Sequence, residues 1–292
     1  MRMPRIVRDV PRGLRLMAAG ALAFSVMTAI AKLVGSRLPL FELVFGRSLV
    51  MLALAAFALR RQGRSFRATE PRLLVQRGLF GFASLVCYFY SVIHLPLADA
   101  TVIFFVNPVI TGLVAVVVLR EHMRWAQVLL VAVSLSGVVV VARPEFLFGS
   151  SESLDSLAVV SGVLAATFGA GSYVTIRKIQ NDPPLLVVLY FSGITCMLSF
   201  PFVLRAPVTP SAADVVLLIV MGVATHLGQL WVTWGFRTER AGRASAVGYL
   251  QIVFAAFWGW ILFAEVPDAW TWIGAGIVVG STLKLVKIHP IR

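Results

Sequence analysis

Apolar residues fill the chain in long runs separated by short, mostly basic connections. A helix needs about 20 predominantly apolar residues to cross the hydrocarbon core of a bilayer. Ten runs of roughly that length are present, at 14–34, 40–59, 72–94, 97–119, 124–142, 156–176, 184–204, 212–236, 240–263 and 269–287. Each is continuously apolar and lacks the in–out alternation of a barrel strand. Only helices can satisfy their backbone polar groups alone in lipid. The pattern therefore predicts an all-α integral membrane protein of ten transmembrane helices. Trp125, Trp231 and Trp270 sit near run ends, where amphipathic rings suit the interface.

Composition agrees. Of 292 residues, 59% are hydrophobic and 13% charged, about half the charge of a soluble domain. The net charge of +13 does not point to nucleic acid, because the basic residues lie in the short connections. With the N-terminus placed in the cytoplasm, twenty of the 26 Lys and Arg fall on that side: the N-terminal arm and the ends after the second, fourth, sixth, eighth and tenth runs. Lys32, Arg37, Arg143 and Arg205 fall on the other side, and Arg47 and Arg77 lie within runs. Positive charge stays inside, so both termini are predicted cytoplasmic, in a multi-pass protein of the inner (plasma) membrane. The basic N-terminus leads into a first span that reads as retained rather than as a cleaved signal. Cys87 and Cys196 sit in apolar runs and read as core residues.

The runs repeat. At an offset of 144 residues Phe24 meets Phe168, Pro39 meets Pro183, Gly78 meets Gly222, Ala100 meets Ala244 and Glu121 meets Glu265. Each Glu closes the fourth span of its half. Five spans are an odd number, so the second copy enters the membrane from the opposite side. The expected domains are a first five-helix repeat, 1–143, and an inverted second one, 144–292. Inverted halves around a mid-bilayer site are a transporter plan, with access alternating as the halves rock.

The fourth and fifth spans read PLADATVIFFVNPVITGLVAVVVLREHMRWAQVLLVAVSLSGVVVV, and the ninth and tenth AGRASAVGYLQIVFAAFWGWILFAEVPDAWTWIGAGIVVGSTL. Small residues at the entry, a mid-span proline, a closing Glu and a late Gly resemble the EamA family of the drug/metabolite transporter superfamily. FELVFGRSLVMLAL is similar to that family's arginine-bearing second helix. Within the family the likeness runs to bacterial aromatic amino acid exporters. The resemblance implies a secondary transporter exporting amino acids or related small metabolites. Nucleotide-sugars, S-adenosylmethionine and toxic cations remain alternatives, as does a membrane-embedded lipid-modifying enzyme. One departure is that Ile252 stands where the first half has Pro108.

Polar residues inside a bilayer are candidates for function, set against ordinary helix–helix hydrogen bonding. Asn107, Pro108 and Thr111 mark a break in the fourth span, since proline frees a carbonyl one turn earlier. Gln251 holds the repeat position of Asn107, with Ser245 on its side. Gly222, His226, Gln229 and Thr233 form one stripe; Gly81, Ser84, Tyr88 and Ser91 another; Ser25, Thr28 and Lys32 a third. The expected substrate-binding set is Thr28, Ser84, Tyr88, Asn107, Thr111, His226, Gln229, Ser245 and Gln251. Arg47 needs a partner, expected in Glu42, Asp99 or helix carbonyls, whereas Arg77 lies near enough to the inner face to snorkel. Glu42, Arg47, Asp99, Pro108, Glu121 and Glu265 are the expected structural or gating group. Gly276 and Gly280 suit close packing within the chain or in a dimer. The four histidines are scattered, and no metal or catalytic cluster is spelled out. No cofactor and no nucleic-acid partner are expected; lipid and a small solute are, with the chain a monomer or a homodimer.

Overall fold

The computed structural model describes residues 10–35, 37–94, 100, 103–121, 124–142, 155–205, 208–263 and 269–287. Asp99 and Glu265 lie outside these residues. All regular structure among them is helical: α1 (Arg12–Val34), α2 (Leu40–Arg61), α3 (Pro71–His94), α4 (Asn107–Val118), α5 (Trp125–Ala142), α6 (Ser156–Lys178), α7 (Pro184–Arg205), α8 (Ala212–Thr238), α9 (Ala241–Val247), α10 (Leu250–Phe263) and α11 (Ala269–Lys287). Among the described residues seven spans are long and apolar enough to cross a membrane: α1, α2, α3, α6, α7, α8 and the α9–α10 run; α4 and α5 are shorter. Their outward faces are apolar, with Val117, Trp125 and Met197 among the exposed side chains. Such a surface suits acyl chains rather than water.

Local chemistry sets the ends. Ser211 and Asp214 form a reciprocal capping box at the start of α8, and Asp155 caps α6. Within the spans, hydroxyls turn back to carbonyls of their own helix, as Thr195 does to Phe191 and Thr225 to Met221. Each such bond removes an orphan donor from the apolar interior.

The helices pair across the chain's two halves. Along α1 and α8, Met17 meets Gly235 and Phe24 meets Gly228, an antiparallel packing. Along α3 and α6, Ser84 Oγ donates to the Ala165 carbonyl at 2.7 Å and Ser161 Oγ to that of Cys87 at 3.0 Å. α5 and α11 also run antiparallel, through Gly137 against Gly274 and a Ser134–Ser281 hydroxyl bond of 2.8 Å. Gly276 and Gly280 face open space instead, so close approach within the chain uses Gly137 and Gly274.

These contacts are reciprocal. An added Cβ at Gly78 would strike Ile194, and one at Gly222 would strike Val50. Moving each residue by 144 positions, with the halves exchanged, turns the first pair into the second. The same exchange turns the Ser134–Ser281 pair into Val278–Gly137, which is also in contact. It further turns Glu70–Asn181, joined N–H to carboxylate at 3.2 Å, into Asp214–Arg37, joined at 3.0 Å. These last two pairs lie at opposite ends of α2.

The fourth run is interrupted. Residues 103–104 are helical, 105–106 form a turn, and α4 starts at Asn107 with Pro108 in its first turn. The ninth run breaks at the equivalent place, Gly248–Tyr249, between α9 and α10. There Gly248, Tyr249, Gln251 and Ile252 each donate to the residue three before, the tighter 3₁₀ pattern. A second proline is therefore not needed for the second break.

Candidate functional site

The two breaks face each other across a small cavity. Phe104, Phe105, Asn107 and Pro108 line it from the first, and Ser245, Gly248 and Gln251 from the second. Met17, Ala21 and Phe24 of α1, Tyr173 of α6, and Val232 and Phe236 of α8 complete the wall. Tyr173 and Phe236 stack at 4.5 Å. The free space is about 50 Å³, room for water rather than for a solute. A wider depression of about 490 Å³ lies along Pro71, Val75, Leu79 and Phe80 of α3. It is open and almost wholly apolar, so it belongs with the lipid-facing surface.

Of the expected binding residues, Asn107, Ser245 and Gln251 line the cavity. Asn107 Nδ2 donates to the Ala166 carbonyl at 2.7 Å and its Oδ1 accepts from Thr111 at 3.3 Å. Gly169 leaves room for this amide, since a Cβ there would stand 2.6 Å from Nδ2. Ser245 Oγ reaches the Pro108 carbonyl at 3.4 Å, tying the two breaks together. Ser84 is bonded to α6, and Thr28 to its own helix at Phe24. Tyr88 packs on Phe104, their centroids 4.6 Å apart, just behind the cavity wall. His226 is buried, with Nδ1 unpartnered and the ring beside the Met51 backbone of α2, outside the cavity. Gln229 is held by Arg77.

Of the two interior arginines, Arg77 departs from expectation. Arg77 does not snorkel: it is 2% exposed and donates through Nη2 to Gln229 Oε1 at 2.7 Å. Gln229 on α8, with the Phe191 ring 3.9 Å from the guanidinium, offers it a seat inside the bundle. Arg47 has no carboxylate partner among the described residues; Nη1 meets Met27 Sδ at 3.4 Å and Nε has no acceptor. Glu42 is engaged elsewhere, accepting the Val208 N–H.

Glu121 joins three elements at the end of α4. It accepts from Arg177 Nε at 3.0 Å and from the Ala241 N–H, the first residue of α9, at 2.9 Å. Arg120 takes the left-handed conformation, φ 54°, and turns Glu121 back toward the bundle. Nearby, Glu239 lies 3.5 Å from Arg243, and burial pushes its carboxyl up against the pull of Arg243 and Arg177. Asp182 is a residue the sequence did not single out. It is buried and accepts the Thr69 and Glu70 N–H groups at 2.7 and 2.8 Å, capping α3 from the other half. An Asp before two prolines, in QNDPP, is the signal that was available. Among the described residues no group of three or more His, Cys, Asp or Glu is placed to hold a metal ion.

The EamA-like transporter family matches this chain twice, over residues 11–143 and 156–286. The pseudopaline exporter CntI of Pseudomonas aeruginosa is 33% identical over 277 residues, 94% of this chain and 96% of its own. The S-adenosylmethionine uptake transporter of Rickettsia prowazekii is 27% identical over 263 residues, 90% of this chain and 88% of its own. A crystal structure 19% identical superposes with a TM-score of 0.81, covering 94% of this chain and 99% of that one, which shows a shared fold. With its apolar helices and these relatives, the chain is a multi-pass membrane protein, of the inner membrane in a bacterium, and a transporter of small molecules rather than an enzyme. It belongs to the EamA-like transporter family.

Proposed function

We propose that this chain is a secondary carrier of amino acids or amino-acid-like metabolites. It works by alternating access between two inverted five-helix halves, 1–143 and 144–292, with ten spans and cytoplasmic termini. The observation that carries this reading is the reciprocity of contacts at an offset of 144, such as Gly78–Ile194 with Gly222–Val50. A molecule related to itself in this way has two comparable ways to open, one toward each side. The double family match and the bias of basic residues support the same arrangement.

The solute class draws on the relatives. One is named as an exporter and one as an uptake transporter, so direction follows gradients and partners rather than fold. Neither is named for an aromatic amino acid, and the solute class widens accordingly. S-adenosylmethionine carries an amino-acid end beside a sulfonium, a ribose and an aromatic adenine. The cavity, ringed by Phe24, Phe104, Phe105, Tyr173 and Phe236 with Asn107, Ser245 and Gln251 between them, suits such a shape once dilated. Counterflow tests this: purified protein in liposomes loaded with unlabelled solute should draw in labelled solute from a panel of amino acids and S-adenosylmethionine. Uptake equal to protein-free liposomes across the whole panel contradicts the reading.

A further inference from the structure

Among the described residues Arg77 has no counter-charge in the bundle. Its Nη2 donates to Gln229 and its guanidinium lies over Phe191, but Nε and Nη1 meet no acceptor. Three of its five N–H donors are thus unused. A buried cation left unpaired is costly, and an apolar side chain of like volume would avoid that cost. The chain nevertheless builds a seat for it. A Cβ at Gly81 would stand 2.6 Å from Nη1 and 2.7 Å from the Phe191 ring, so a side chain there would displace the guanidinium from its present seat.

The seat adjoins the cavity. Tyr173, close enough to couple to the charge of Arg77, is itself a cavity wall. Gln229 lies one turn before Val232, another wall residue. Tyr173 stacks on Phe236 at 4.5 Å, and both rings face the cavity.

We propose that Arg77 is the anion-binding group of the solute site, taking the carboxylate of the solute while its body rests on the aromatic wall. Its neighbours Gln229, Phe191, Tyr173 and Gly81 include no second cation, so the seat fits one negative charge, a carboxylate rather than a phosphate. The inference rests on the carrier reading above and names the chemistry by which that carrier selects.

Thermal unfolding of the full chain in detergent tests it, using L-phenylalanine, L-methionine and L-histidine, each against its carboxamide. At least one acid should raise Tm while its amide does not. Arg77→Gln should abolish the difference, and Arg77→Lys should raise the half-maximal concentration by about tenfold, the value of a lost charge-assisted hydrogen bond. Gly81→Ala keeps the charge but takes its seat, so it should weaken the acid in the same direction, and it serves if Arg77→Gln does not fold. The proposal is overturned if no acid acts, if acid and amide act alike, or if the preference survives both Arg77→Gln and Gly81→Ala. Equal flux of acids and amides in liposomes would sink the role of Arg77 and leave the carrier standing. Acid-selective binding without flux would do the reverse.

Discussion

At the scale of residues, the chain settles its polar groups in two ways. Most hydroxyls bond to their own helix, as Thr28, Ser192 and Thr225 do, which hides them without linking anything. Asn107 and Ser84 instead bond to adjacent carbonyls of α6, at Ala166 and Ala165. The bond of Asn107 fixes the first break against α6, and that of Ser84 ties α3 to the same helix. Asn107→Ala should therefore lower stability in detergent by about 1 kcal/mol, in the range of interhelical bonds in membranes, and Thr28→Ala by much less. Thermal unfolding of the two variants side by side checks the order. The sequence marked Asn107 correctly as unusual, since Asn before Pro at mid-span has few explanations. It did not reveal where Arg77 goes. A side chain's partner 152 residues away follows from helix packing, and local pattern carries no trace of it.

At the scale of elements, the breaks are the informative feature. The first was legible, because Pro108 cannot donate to the helix ladder. The second was not, because Ile252 stands where the first half has Pro108 and Gly248 and Tyr249 carry no comparable local mark. Packing explains the outcome. Ser245 Oγ bonds to the Pro108 carbonyl across the cavity, and α9 is buried along its whole length among its neighbours. Gly248 is close-fitting, since a Cβ there would lie 2.9 Å from the Ser245 carbonyl. Pro108→Ala should then leave most transport intact, with the break held by its surroundings. Gly248→Val should reduce initial rates at least about tenfold, because a branched side chain strains the tightened turn. Initial rates of counterflow at matched protein content decide between them, and equal loss in both would show that the proline alone makes the break.

At the scale of the whole molecule, both ends are latched at once. Asp182, Glu70, Arg177 and Glu121 close the end carrying the α6–α7 connection. Arg37 and Asp214, 2.7 Å apart at their nearest atoms, with Glu42 and Val208, close the other. The cavity between them has about 50 Å³ of free space, and a carrier opens one end at a time. The reciprocal contacts, such as Gly78–Ile194 with Gly222–Val50, were legible in the offset of 144. The latches were legible only as charged residues near span ends. The most direct measurement places a cysteine in the cavity, Ser245→Cys, in a background with Cys87 and Cys196 replaced by Ser. A membrane-impermeant thiol reagent is then applied from each side separately. With Glu121→Ala the cysteine should label from the cytoplasmic side alone, and with Asp214→Ala from the outside alone. Labelling of either variant from both sides, or of both variants from the same side, would contradict alternating access between inverted halves.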